Sequence, residues 1–282
     1  MVVTATQSLT IINGGTIAAS TETLGNGGNV ILNVPGNVRL SGGSGISSSS
    51  SSPGTATTSA GPAGTVTLNA GNIELNTLSS ITTSALAADA GSINLTASNQ
   101  LSILNGSSIT TSAGANGGSI NLQVKNLVYV LNGSITATAG TLKEAGIAGS
   151  GGNITIDPQF VVLDDGLISA NAAVGQGGNI TIITGDYLNN NSLITATGST
   201  DGTITISAPD LDLSGSLLGL PAELVSEENR LRERCAEAMN HEFSSLIVVG
   251  RGGTEFAPEE LQSDFGLKAV APLGGVAAKS SP

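Results

Sequence analysis

Aromatic side chains make up 2% of the 282 residues, and there is no Trp. A wide globular core is usually filled partly by rings, so this chain must pack its apolar material in thin layers of small aliphatic groups. Charge is also scarce, at 11% of residues, yet hydrophobic residues hold 39%. A disordered chain shows the opposite balance. The single cysteine, Cys235, excludes an intramolecular disulfide framework, and with the single histidine, His241, it cannot build a structural zinc site. Basic residues are few: only Arg39, Lys125 and Lys143 precede position 213, within a net charge of −12. Binding to nucleic acid needs clustered Lys and Arg, so that class is excluded, and an anionic membrane surface is equally disfavoured. The N-terminal segment MVVTATQSLTIINGG lacks the basic start and apolar centre of a signal peptide, and no run approaches the roughly 20 apolar residues of a bilayer span. The expectation is either a cytoplasmic protein or a fragment whose export signal lies upstream.

What the chain has in excess is glycine, 39 residues of it, and a repeat. A short unit recurs as Gly28-Asn-Val-Ile-Leu32, Gly64-Thr-Val-Thr-Leu68, Gly91-Ser-Ile-Asn-Leu95, Gly118-Ser-Ile-Asn-Leu122, Gly152-Asn-Ile-Thr-Ile156, Gly178-Asn-Ile-Thr-Ile182 and Gly202-Thr-Ile-Thr-Ile206. The basic period is about 24 to 27 residues, with insertions in two copies, which fits one turn of a β-helix. A second element, such as Ile81-Thr82 or Ile109-Thr110, follows each leading glycine at a nearly constant offset. Between the two lies a third, ending in Asn105-Gly106, Asn132-Gly133 or Asp164-Asp165-Gly166. Asn or Asp before Gly suits the positive φ of a sharp turn. The spacing therefore predicts three short strands per coil, separated by turns, in an all-β parallel β-helix solenoid of about eight coils, roughly 35 to 40 Å long at one strand spacing per coil. In Asn153-Ile154-Thr155-Ile156 the isoleucines are expected to point inward. Length variation falls at one corner, in segments such as Ser47 to Ala63 and Ala137 to Ser150, which makes that corner the expected contact edge. The serine run Ser47 to Ser52, followed by Pro53-Gly54, reads as a surface loop.

Charge concentrates after Ser216. The organisation read from the sequence is a β-helix over 1–217, a capping segment over 218–253 and a flexible tail over 254–282. Within the cap, Pro221 to Met239 is expected to be helical, with Glu223, Glu227 and Glu228 early and Arg230, Arg232 and Arg234 late, complementing the helix dipole. Phe243 to Val249 reads as a strand, and the pair would cover the last coil. Cys235 leaves three readings open: a buried apolar position on that helix, an intermolecular thiol forming a disulfide or tether, or a nucleophile for which no base is placed. His241 beside Glu242 reads as a solvated surface residue. Gly250-Arg-Gly252-Gly253 lacks the third glycine and the βαβ setting of a dinucleotide loop.

The motifs GGNITI and GGSINL, the elements LNGSSIT and LNGSITA, and the closing stretches LPAELVSEENRLRERC and SSLIVVGRGG together resemble the C-terminal part of filamentous haemagglutinin-type exoproteins. These are the secreted partners of two-partner secretion systems in Gram-negative bacteria. The resemblance covers nearly the whole chain. It implies a right-handed β-helix, export through the outer-membrane transporter partner, a secreted or outer-membrane surface location, and a role in adhesion, aggregation or display towards a surface glycan or a host or cell-surface ligand. The family's N-terminal secretion domain is not found here, so a truncated gene or a piece of a longer protein is expected.

β-Helix enzymes acting on acidic polysaccharides need carboxylates or calcium together with cationic groups. The one adjacent carboxylate pair in the repeats, Asp164-Asp165, fills a turn slot, and no His or basic residue lies in neighbouring slots. Calcium-binding glycine-rich repeats need Asp after the paired glycines, where this chain has Asn, Ser or Thr. The sequence thus reads as a non-catalytic scaffold without metal or cofactor. A polysaccharide-active enzyme and a passive presenter of an upstream domain stand as alternatives.

Overall fold

The computed structural model describes residues 1–51, 61–140 and 149–209, all within the first of the two units into which the chain divides, Met1–Asp212. The described residues form strands and turns, with no helix among them. Coil 1 comprises β1 (Val2–Thr4), β2 (Leu9–Ile12) and β3 (Thr16–Thr21). Coils 2 to 4 each carry one long strand and one short: β4 (Val30–Ser41) and β5 (Gly45–Ser50), β6 (Val66–Asn76) and β7 (Ser80–Ala85), β8 (Ile93–Leu104) and β9 (Ser108–Ala113). Coil 5 is β10 (Ile120–Val124), β11 (Leu127–Leu131) and β12 (Ser134–Thr138); coil 6 is β13 (Ile154–Asp157), β14 (Phe160–Asp164) and β15 (Leu167–Ser169). Coil 7 is β16 (Ile180–Ile183), β17 (Asp186–Asn190) and β18 (Leu193–Thr195), and β19 (Ile204–Ser207) opens an eighth.

Every strand pairs in parallel with its counterpart one coil away, giving one sheet in the order β1-β4-β6-β8-β10-β13-β16-β19 and another in the order β18-β15-β12-β9-β7-β5-β3. The fold is a parallel β-helix solenoid. Equivalent repeat residues are in register: Ile120 lies beside Ile93 on one side and Ile154 on the other. β-Branched residues alternating with polar ones suit a half-buried pleated surface, and the alternation sorts them as expected. Val30, Val66, Ile93, Ile120, Ile154 and Ile180 make one inward file, all fully buried. Leu32, Leu68, Leu95, Leu122, Ile156 and Ile182 make the next.

The leading glycines form a column of their own. A Cβ on Gly64, Gly91, Gly118, Gly152, Gly178 or Gly202 would fall far inside the van der Waals radius of the carbonyl oxygen of the glycine one coil earlier, starting from Gly28. Where a second glycine precedes, its missing Cβ faces the next coil: one on Gly117 would sit 2.6 Å from the Gly152 nitrogen, and one on Gly151 2.7 Å from the Gly178 nitrogen. The pair is needed because coils press on this corner from both sides. The Asn after it caps the following coil, with Asn29 Oδ1 accepting from the Thr65 N–H at 2.8 Å, Asn153 from Asn179 at 2.8 Å and Asn179 from Thr203 at 2.9 Å.

Two expectations change. The serine run is not a loop as far as Ser50, because β5 carries it through the second sheet with Ser48 and Ser50 buried. The hydroxyls replace aliphatic groups in the inward file because the glycine corner offers them partners. Ser48 Oγ donates to the Gly28 carbonyl at 2.8 Å and accepts from the Gly64 N–H at 2.9 Å. Thr83 and Thr111 do the same for the Gly91 and Gly118 carbonyls, at 2.5 and 2.7 Å. In the later coils this position is Ala137, Ala170 and Ala196, and there the backbone takes over, with Gly178 N–H donating to the Ala170 carbonyl at 2.7 Å. Second, coils 2 to 4 do not have three separated strands. Their first two segments run together through a register shift between Val34 and Asn37 and again between Ala70 and Asn72, so this junction is an irregularity within a strand rather than a turn. The expected boundary at 217, the 218–253 cap and the 254–282 tail lie outside the described residues.

Gly118→Ala is expected to lower unfolding free energy by about 2–4 kcal/mol, because the obstacle is backbone and cannot step aside. Gly45→Ala, whose Cβ would meet only ordinary contacts at 3.6 Å, should change it by less than about 0.5 kcal/mol. Ser48→Ala should cost about 1–2 kcal/mol by stranding the buried Gly64 N–H and leaving the part-buried Gly28 carbonyl without its hydroxyl, against nearly nothing for the half-exposed Ser47→Ala. Urea unfolding followed by circular dichroism measures all four.

Candidate functional surface

The Asp164-Asp165 pair sits at the turn between the second and third segments of coil 6. Asp165 has φ 48°, and its counterparts Asn13, Asn105, Asn132 and Asn191 have φ between 47° and 54°. Side chains of coil 7 occupy the carboxylates: Asn190 Nδ2 donates to Asp164 Oδ1 at 2.7 Å and Asn191 Nδ2 to Asp165 Oδ1 at 2.5 Å. These contacts continue a habit of the whole solenoid, in which amides stack coil upon coil. Along Asn37, Asn72, Asn99 and Asn126 each side chain donates to the one before, at 2.8, 2.6 and 2.7 Å. Asp164 and Asp165 are thus members of stacked turn columns.

Other reactive groups are dispersed. Among the described residues no three of His, Cys, Asp and Glu gather closely enough to hold a metal ion. Arg39 and Glu74, register partners on neighbouring coils, form an ion pair at 3.4 Å in a shallow depression of about 330 Å³. Both side chains are more than a third exposed, so water screens the pair and leaves it little stabilising effect. Tyr187 points inward in the last complete coil with its hydroxyl buried and lacking a well-formed hydrogen bond. Burial raises its phenol above the ordinary value of 10, and the nearby Asn189 amide offsets part of that rise. Cys235, His241, Lys143 and the loop 250–253 lie outside the described residues, as do 52–60 and 141–148 at the expected contact edge.

One feature was not foreseen from the sequence. Two outward columns on the second segment change character between coils 4 and 5. The first runs Arg39, Glu74, Ser102, then Tyr129, Val162 and Leu188. The second runs Asn37, Asn72, Gln100, then Leu127, Phe160 and Asp186. The same sheet face is therefore polar in coils 2 to 4 and largely apolar in coils 5 to 7, where Phe160 is 39% and Leu188 63% exposed. The signal was present. Leu127 to Leu131 and Phe160 to Leu163 contain no polar residue except the Tyr129 hydroxyl, and an unbroken apolar run in a strand means two apolar faces.

No family model matches the chain, nor does any curated protein or solved structure. Function must therefore be argued from the surface and the stack themselves.

If Asp165 serves the turn, Asp165→Asn should leave the thermal unfolding midpoint within about 1 °C, since Asn tolerates the same left-handed backbone. Asp165→Val should destabilise by about 1–2 kcal/mol, because its branched side chain does not.

Proposed function

We propose that this protein is a non-catalytic β-solenoid stalk that works in adhesion, aggregation or display at a cell surface or after secretion. The observation that carries the reading is the use made of the recurring residues. Glycines occupy the contact column, Asn and Asp the left-handed turns, and Ser and Thr the buried carbonyls. These recurring residues each have a geometric task in holding the coils together, and the largest variation falls on the outward faces and at one corner. A rod of this construction holds those faces at fixed spacing and carries an acidic exterior that keeps it soluble by self-repulsion.

The resemblance of the repeats and of the segment after Leu218 to filamentous haemagglutinin-type exoproteins supports the same reading. On that basis the export partner is an outer-membrane transporter of a two-partner system, and the ligand is a surface glycan or another cell-surface group.

The test is antibody labelling and protease accessibility of the native protein on intact cells and in culture supernatant. Labelling without permeabilisation, or recovery from the supernatant, is the expected result. Detection only after lysis would overturn the location. Turnover of a uronic-acid polymer that disappears in Asp164→Ala would replace the stalk with the enzyme.

A further inference from the structure

We infer that the turn Asn132-Gly133 in coil 5 is a spontaneous modification site, at which the asparagine loses ammonia and becomes aspartate or isoaspartate. The sequence holds five Asn-Gly pairs, starting at Asn13, Asn26, Asn105, Asn116 and Asn132. All five are open to this chemistry in principle, because glycine has no side chain to block the attack of its nitrogen on the preceding asparagine. In four of them a carbonyl holds the glycine N–H: Gly14 donates to Gly42 at 2.9 Å, Gly27 to Pro62 at 2.8 Å, Gly106 to Asn132 at 2.6 Å and Gly117 to Ser150 at 2.9 Å. The Gly133 N–H has no acceptor among the described residues. The Asn132 side chain is exposed and stands outside the amide ladders around it. One coil earlier Asn105 Nδ2 donates to Asn76, and two coils later Asn191 Nδ2 donates to Asp165, but the Asn132 amide joins neither pair.

The stack explains why this one N–H is left over. Register sets Ser79 beside Ser107, Gly133 beside Gly166, and Gly166 beside Ser192. Twice in this column the N–H is met by the hydroxyl one coil later, Ser79 by Ser107 Oγ at 3.2 Å and Gly166 by Ser192 Oγ at 2.7 Å. Gly133 faces Gly166, which has no hydroxyl. It makes no bond within its own turn either, where Ser107 reaches the Leu104 carbonyl at 3.1 Å, because two residues separate β11 from β12 and three separate β8 from β9. The peptide between Asn132 and Gly133 is therefore held through its carbonyl alone, by the Gly106 N–H. It swings out of the stack by breaking one hydrogen bond rather than two, a local opening of small cost. Hydroxide then takes the proton from the Gly133 nitrogen, which attacks Asn132 Cγ. An N–Cγ bond forms, the Cγ–Nδ2 bond breaks, and ammonia leaves carrying a proton from water. Water opens the resulting succinimide at either carbonyl, so the sum is water in and ammonia out with no change of oxidation state. The new carboxylate stands about one strand spacing, 4.8 Å, from the Asp165 column position, like charge beside like, and isoaspartate adds a methylene to the backbone of an already short turn. The reaction thus loosens the junction of coils 5 and 6 as the molecule ages. It does not depend on the stalk reading, since it is a property of the chain itself.

The experiment is timed incubation of the full chain in mildly alkaline buffer, native and in urea, followed by peptide mapping with mass spectrometry and enzymatic labelling of isoaspartate. In the native chain Asn132 should react at least about fivefold faster than Asn13, Asn26, Asn105 or Asn116, the rate equivalent of about 1 kcal/mol for one hydrogen bond. In urea, where no N–H is held, the lead of Asn132 should disappear. Gly166→Ser restores the missing acceptor at a site where the added Cβ would meet Val130 Cγ1 at 3.0 Å, a side chain that can give. In that variant Asn132 should slow to the range of the other four, with circular dichroism unchanged. Native Asn132 reacting no faster than the other four overturns the inference, and so does a lead that persists undiminished in urea. A folded Gly166→Ser chain that deamidates at Asn132 as fast as wild type overturns the role given to the unpartnered N–H. Should Gly166→Ser lose its strand signal, the native and urea rates of the five pairs in the wild-type chain decide by the same criteria.

Discussion

The structure depends on one contact: glycine backbone against glycine backbone, from Gly28 through Gly64, Gly91, Gly118, Gly152 and Gly178 to Gly202. At this corner successive coils approach so closely that no Cβ fits. The consequence spreads outward. With the corner closed, the strands on either side are held at hydrogen-bonding distance, which fixes the register of both sheets. Fixed register places like on like, so isoleucines fill continuous files and asparagines can form amide ladders. The inward hydroxyls of Ser48, Thr83 and Thr111 are explained by the same contact, because they satisfy the glycine carbonyls that the close approach buries.

A core only a few side chains across also accounts for the composition. The inward files of the described coils are filled almost entirely by Ile, Leu, Val and Ala, with Tyr187 the one ring packed against them. The aromatic residues that the described part does contain are exceptions with positions worth reading. Tyr187 ends an inward file in the last complete coil, while Tyr129 and Phe160 point out of the sheet. The largest variation in length falls before the glycine corner, from Ser50 to Val66 and from Thr138 to Ile154, while the junction of the first two segments varies by a single residue.

Much of this was legible in the sequence, because a solenoid writes each rule several times over. The glycine-led strand, the inward isoleucines and the Asn-Gly turns could all be read from recurrence and from elementary backbone preferences. The serine run was misread because composition alone marks six serines as a loop. Only the neighbouring glycine carbonyls, invisible in one dimension, turn Ser48 into a core residue. The fused strands of coils 2 to 4 were missed because the slip between Val34 and Asn37 involves residues with ordinary turn chemistry, Pro35 and Gly36. The segment before Asn132-Gly133 was read only as a strand ending in a turn, a reading that does not ask what the outward face of Leu127 to Leu131 is doing.

The in-register stack is tested most directly by distances along one outward column. Ala18, Ser47, Thr82, Thr110, Thr136, Ser169 and Thr195 occupy equivalent sites in successive coils. Spin labels placed at Ala18 and, one at a time, at Thr110, Thr136 or Thr195 in a Cys235→Ser background should give separations rising with the coil count. The backbone separations should be about 14, 19 and 29 Å, from three, four and six strand spacings. Distances that fail to rise linearly, or a broad distribution common to all three pairs, would contradict the stack and with it the role assigned to the glycine column.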